Sequence, residues 1–112
     1  MALQHAAPLD VISLKPQALT EQSERSHSLL RTDDFQLIHI ALKAGDAMPE
    51  HTVAGPLTLQ CLEGEAEVVT PRGTCALRAG ELVMLPGGEP HAVRSQTGGR
   101  LLLTLVRRPD QD

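Results

Sequence analysis

The chain has 112 residues, of which 41% are apolar and 21% are charged, and its net charge is −4. This length has room for one domain, and the composition is typical of a globular protein rather than of a disordered or membrane-spanning one. There is no basic run and only one Phe, Tyr or Trp residue, Phe35, so the charge and the stacking surfaces that bind nucleic acid are missing. We therefore expect no nucleic-acid and no membrane partner. The first eight residues lack the features of a secretory signal, which favours a cytoplasmic location.

Residues 1–25 are predicted to form an N-terminal arm, followed by one barrel domain over residues 26–112. The arm contains Pro8 and Pro16 and no sustained apolar period, so we expect at most one short strand, from Leu9 to Leu14. A helix over Gln17 to Leu30 is the alternative, but its leucines are too sparse to form an apolar stripe.

From Ser26 onward, short apolar stretches alternate with turn signals, a rhythm typical of an antiparallel sandwich or barrel. One of the predicted turns is Glu63-Gly64-Glu65. The predicted strands are Ser26 to Arg31, Phe35 to Leu42, Leu57 to Leu62, Ala66 to Thr70, Thr74 to Leu77, Leu82 to Leu85, His91 to Ser95 and Leu101 to Arg107.

Alternation within these strands predicts which side chains are buried. In Glu65-Ala66-Glu67-Val68 the two apolar residues share a face, which leaves both carboxylates in water and argues against an acid/base pair. The two cysteines, Cys61 and Cys75, have no CxxC pattern and are most simply two buried thiols.

Two segments have a specific spacing of glycine, proline and histidine. The first reads Gly45-x5-His51-x-Val53-x3-Leu57-x6-Gly64, and the second reads Gly80-x5-Pro86-x-Gly88-x2-His91-x3-Ser95. Together they resemble the paired motifs of the cupin superfamily, G-x5-H-x-H-x3–4-E-x6-G and G-x5-P-x-G-x2-H-x3-N. Fifteen residues separate the two motifs, as in compact bacterial cupins, and the resemblance extends from about Leu30 to Val106.

The resemblance implies an all-β fold, an antiparallel double-stranded β-helix or jelly-roll barrel of the RmlC-like type. It also implies that both motifs direct metal ligands into the mouth of the barrel. His51 matches the first ligand and His91 the last, whereas Val53 stands where the second histidine would be and Leu57 where the glutamate would be. Two imidazoles alone hold a transition metal weakly. We therefore expect a divalent ion (Zn, Ni, Fe or Mn) to be weakly bound or absent.

His39 is the candidate third ligand, because it lies on the predicted strand from Phe35 to Leu42. The two faces of that strand are equally apolar, so the pattern does not decide whether His39 points into the barrel. His51 and His91 have an alternative interpretation as hydrogen-bonded histidines of a barrel without metal. His5 and His27 belong to no motif and are expected to be exposed.

Two functions follow from these features. The first is a cupin barrel that binds a small molecule in its cavity near His51 and His91, which the loss of two ligands favours. The alternative is a metal-dependent cupin enzyme, an oxygenase or isomerase acting on a small acid or sugar derivative. The resemblance to compact cupins also implies a homodimer that pairs through sheet edges, with the arm able to cross to the partner.

Overall fold

The computed structural model describes residues 5–15 and 26–107. Every regular element in these two stretches is a β-strand, and no helix among the described residues is long and apolar enough to cross a membrane. The strands are β1 (His27–Arg31), β2 (Phe35–Leu42), β3 (Ala47–His51), β4 (Leu57–Thr70), β5 (Gly73–Arg78), β6 (Leu82–Leu85), β7 (His91–Arg94) and β8 (Gly99–Val106). All the pairings are antiparallel, which confirms the predicted fold class. Most of the alternative helix over Gln17 to Leu30 lies outside the described residues, and its last four residues belong to β1.

Strand β4 is the central strand of the fold, because both halves of the sheet share it. Its first half, from Leu57 to Gln60, lies between β6 and β8, and its second half, from Glu67 to Val69, lies between β5 and β7. The predicted turn at Glu63-Gly64-Glu65 is therefore wrong. Gly64 has a φ of +76°, and the register of β4 against β8 shifts between Cys61 and Glu63, so the chain makes a bulge and bends without reversing.

Strand β3 was not predicted from the sequence. Its residues include Pro49, which lacks an N–H for the ladder, and only one of its five residues is even partly buried. Both features are tolerated because β3 lies at the end of the described sheet and pairs with β7 alone. An edge strand of this kind has no apolar period that a sequence pattern could show.

The predicted strand from Leu9 to Leu14 is also wrong, since these residues form irregular structure. The arm is nevertheless attached to the barrel at both ends of its described part. The Ala6 N–H donates to the Leu29 carbonyl at 2.9 Å, and the Arg100 guanidinium donates to the Leu14 carbonyl at 3.1 Å.

The core lies between the two halves of the curled sheet. It confirms the predicted burial of Ala66, Val68 and Cys61, and Leu57 and Leu59 on the same strand are also buried; all five are at most 2% exposed. Both thiols are free, but the prediction for Cys75 is wrong, because its side chain is exposed. Cys75 pairs with Val68 and so faces the same side of the sheet, yet β5 has β4 as its only described partner and no further strand covers it.

Candidate functional site

The two motif histidines meet at the mouth of the barrel. His51 ends β3, His91 begins β7, and the two residues are paired in the β3–β7 register. Their ring centroids lie 4.3 Å apart with the planes inclined by 59°. His91 is 2% exposed, whereas His51 is open to solvent. The structure therefore places one buried and one accessible imidazole side by side.

A contact between the two motif loops fixes this pairing. The Gly88 N–H donates to the Val53 carbonyl at 2.7 Å, which joins the loop before β7 to the loop after β3. Gly87 approaches the first loop so closely that a Cβ there would lie within 3.0 Å of the Ala54 carbonyl carbon and closer still to its oxygen. No larger residue fits at this position, because the obstacle is backbone.

The hydrogen bonds of the two rings determine what they present to the mouth. His51 Nδ1 lies 3.1 Å from the Pro49 carbonyl oxygen, and His91 Nδ1 lies 3.0 Å from the Glu89 carbonyl oxygen. A carbonyl only accepts, so each Nδ1 carries the proton and each neutral ring keeps its lone pair on Nε2. Both histidines thus offer an acceptor nitrogen, in the orientation that is also usual for metal-bound histidines.

His39 does not join them, and the predicted cluster of three histidines does not form. The core side of β2 carries Ile40 and Leu42, so His39 points to the opposite face of the sheet, where it is fully buried. Its ring lies 5.3 Å from that of His27, which is partly buried and not exposed as predicted. Arg100 Nη1 lies 3.2 Å from His39 Nε2, and because a guanidinium only donates, this nitrogen has no lone pair left for a metal.

The residues present do not fit a tightly held catalytic metal. Leu57 is buried in the core and Val53 packs against it, so neither of these motif positions supplies a ligand. Among the described residues, no group of three or more His, Cys, Asp or Glu side chains is arranged to hold an ion. Two Nε2 atoms remain, which is fewer protein ligands than catalytic zinc sites have.

A cavity of about 550 Å³ is lined largely by β4, β5 and β6, and His51 and His91 are not among its described lining residues. One residue lining the cavity is Glu89, whose backbone carbonyl accepts the hydrogen bond from His91 Nδ1. Glu89 Oε1 accepts a hydrogen bond from Arg72 Nε at 2.7 Å, while Glu89 Oε2 is buried without a partner in the part of the chain that the structure describes. Nothing in the sequence pointed to Glu89, because a single glutamate in a loop next to a proline belongs to no motif and no apolar period. The cavity residues are Val68, Thr70, Arg72, Gly73, Thr74, Cys75, Val83, Met84, Leu85, Pro86 and Glu89.

Ser95, which stands where the second motif usually has asparagine, anchors the loop after β7. Its hydroxyl donates to the Glu65 carbonyl at 2.7 Å and accepts from the Gly98 N–H at 2.9 Å. Glu65 itself is not simply solvated as predicted. Its carboxylate accepts hydrogen bonds from the Gln96 N–H at 2.9 Å and the Thr97 N–H at 3.0 Å. The hydrogen bond from the Thr97 N–H is the largest cause that lowers the pKa of the Glu65 carboxyl, and the other hydrogen bonds from this loop lower that pKa further.

A second and larger cavity, of about 750 Å³, lies where β2 ends and β8 begins. It is lined by Lys43, Glu63 and Arg100 among others and, like the smaller cavity, by none of the predicted site histidines; unlike the smaller cavity, it has no lining residue hydrogen-bonded to His51 or His91 among the described contacts. Arg100 is committed there to the sheet and the arm through His39 and the Leu14 carbonyl. We therefore place the candidate site at the mouth with His51 and His91.

Comparison with known proteins supports the fold. No family model and no curated protein matches the sequence. Solved structures do match: a conserved protein of unknown function from Streptococcus pyogenes has a TM-score of 0.77 and 24% identity, covering 96% of each chain. A cupin superfamily protein from Desulfitobacterium hafniense has a TM-score of 0.77 and 17% identity, covering 96% of this chain and all of the other. An RmlC-like cupin from Shewanella frigidimarina has a TM-score of 0.69 and 22% identity, covering 74% and 75%. The chain therefore has the fold of the small RmlC-like cupins.

Proposed function

We propose that this protein binds a small organic molecule in the mouth of its barrel, beside His51 and His91. The observation that carries the proposal is the pairing of the two rings at 4.3 Å, with both Nδ1 atoms held by backbone carbonyls. Two imidazoles fixed in this way each keep Nε2 as an acceptor in the neutral form, and a few fixed polar groups next to an apolar cavity are typical of ligand sites.

The cavity supports this proposal by its size and its lining. At about 550 Å³ it falls in the range of small-molecule sites, and its walls include the aliphatic side chains of Val68, Val83 and Leu85. Glu89 links the cavity to His91, since it is one of the lining residues and its carbonyl accepts from His91 Nδ1. We therefore treat the histidine pair and the neighbouring cavity as one candidate site.

A metal-dependent enzyme is the second candidate function. The orientation of both rings favours it, because an Nδ1–H bonded to a carbonyl and a free Nε2 are what a bound Zn, Ni, Fe or Mn ion would require. The missing third ligand disfavours it. With His51 and His91 alone, such an ion would be exchangeable and could at most polarise a ligand bound next to it. We therefore rank binding without a resident metal first.

Thermal unfolding in the presence of a panel of small acids, amines, alcohols and sugars tests the proposed function. We expect at least one compound to raise the unfolding temperature of the wild type, and we expect His51→Gln and His91→Gln to lose that rise. His5→Gln is the matched control, since His5 is exposed on the arm. A stabilising compound whose effect survives both barrel variants would place the binding site elsewhere. Zn²⁺ and Ni²⁺ belong in the panel as the test of the second candidate.

A further inference from the structure

We propose that the mouth of the barrel selects small organic molecules that carry an ammonium group, and that the Glu89 carboxylate receives this group. The inference rests on the proposed function and specifies its ligand class. The Glu89 side chain is 10% exposed, and its Oε2 is buried with no hydrogen-bond partner among residues 5–15 and 26–107. Buried polar atoms almost always have a partner, so an unpaired carboxylate oxygen in a cavity wall indicates a donor supplied from outside the protein.

The groups around Glu89 favour a donor over an acceptor. The ring bonded to this residue, that of His91, donates from Nδ1 to the Glu89 carbonyl and so keeps an acceptor at Nε2 in its neutral form, and a carboxylate only accepts. An ammonium group has three N–H donors to offer such acceptors, whereas a carboxylate ligand would bring only further lone pairs.

Arg72 is the one cation among the described residues that line the cavity, and it does not change the preference for a ligand that donates hydrogen bonds. Its Nε is already bonded to Glu89 Oε1, and its side chain is 75% exposed to water. The aliphatic walls next to Glu89 require an organic body on the ligand, so a simple ammonium or metal ion would leave Val68, Val83 and Leu85 uncovered.

Cys75 supplies a reporter inside this cavity. Its thiol is exposed and lines the same cavity as Glu89, whereas Cys61 is fully buried and burial raises the pKa of its thiol. Two methanethiosulfonate reagents of similar size, one aminoethyl and one sulfonatoethyl, convert an accessible thiol into a mixed disulfide and release methanesulfinate. We expect the cationic reagent to label Cys75 faster by at least about fivefold, after normalisation to the rates with 2-mercaptoethanol.

Three variants test whether the Glu89 carboxylate causes the faster labelling of Cys75 by the cationic reagent. Glu89→Gln should bring the normalised rate ratio close to one, and Arg72→Ala should raise the ratio because it leaves the Glu89 charge uncompensated. Glu67→Gln is the matched control and should leave the ratio unchanged, since it removes the same charge from an ion pair with Arg94 on the outer face of β4. A faster anionic reagent, or a ratio that Glu89→Gln does not lower, would overturn the proposal.

Protection of Cys75 by unreactive molecules separates this inference from the proposed function. At equal concentration and ionic strength, n-butylammonium should slow labelling more than n-butanol, and butyrate should slow it least. If butyrate or butanol protects at least as well, the mouth still binds small molecules but the ammonium preference is wrong. If no compound protects Cys75 and none in the thermal panel depends on His51, the proposed function itself fails.

Discussion

Strand β4 bends at Gly64. Replacing Gly64 with alanine should destabilise the protein far more than replacing a glycine that has open space around its Cα. At Gly64 φ is +76°, and an added Cβ would lie within 2.9 Å of Gly99 Cα and closer still to the Gly98 oxygen. At Gly45 φ is +87° and nothing lies within 4 Å of the same position. The two sites therefore share the cost of a left-handed backbone and differ in the steric cost.

The left-handed conformation costs an L-residue roughly 1–2 kcal/mol. Part of this is offset because alanine loses less chain entropy on folding than glycine, by about 0.4–1 kcal/mol. Gly45→Ala should therefore lower the free energy of unfolding by about 1 kcal/mol. At Gly64 the obstacles are backbone atoms of β8 and its preceding loop, and overpacking adds roughly 1–3 kcal/mol, for a total of about 2–4 kcal/mol.

Urea denaturation followed by circular dichroism measures both variants, with the free energy obtained by linear extrapolation. A domain of this size has a stability of about 5–15 kcal/mol, so both variants should remain folded in the absence of denaturant. If Gly64→Ala were no more destabilising than Gly45→Ala, the close approach of β4 to the Gly98–Gly99 segment would be wrong, and with it the bulge that lets one strand serve both halves of the sheet.

Three further predictions concern pH, metal and assembly. Because the pKa of Glu65 is lowered in the folded state, its stabilising contribution is complete above the unfolded carboxyl range and is lost as pH falls through the folded pKa. The urea midpoint should thus fall more between about pH 6 and about pH 3 for the wild type than for Glu65→Gln, and equal falls would contradict this. After dialysis, elemental analysis should find well under one equivalent of transition metal per chain, and His39→Ala should not alter it. A tightly held metal that survives His51→Ala would show that the site is misplaced. We expect light scattering to give the mass of a homodimer, twice the 12.0 kDa of one chain. The apolar side chains of Leu82 and Met84 are exposed on β6, and a second copy of the chain would cover them. A monomer mass at all concentrations would refute the dimer.

The sequence by itself determined the fold and the pairing of the two motifs. Alternation of apolar residues predicted the inward face of β4, because side chains on a strand point to opposite sides with a period of two. The resemblance of the two motifs to those of cupins implied that His51 and His91 would meet, although strand β3, which carries His51, was not predicted. Alternation is a local property that a linear pattern records, whereas the contact between the histidines was implied by the family resemblance alone.

Tertiary structure alone decided the rest. Gly64 bends β4 instead of reversing it because Gly98 and Gly99 come from a distant strand to lie against it. His39 faces away from the mouth because the β2–β8 register puts Ile40 and Leu42 in the core, a choice that two equally apolar faces left open. Glu89 and Cys75 share a cavity because β5 and the loop before β7 both flank β4, and residues brought together across a sheet leave no trace in their sequence separation.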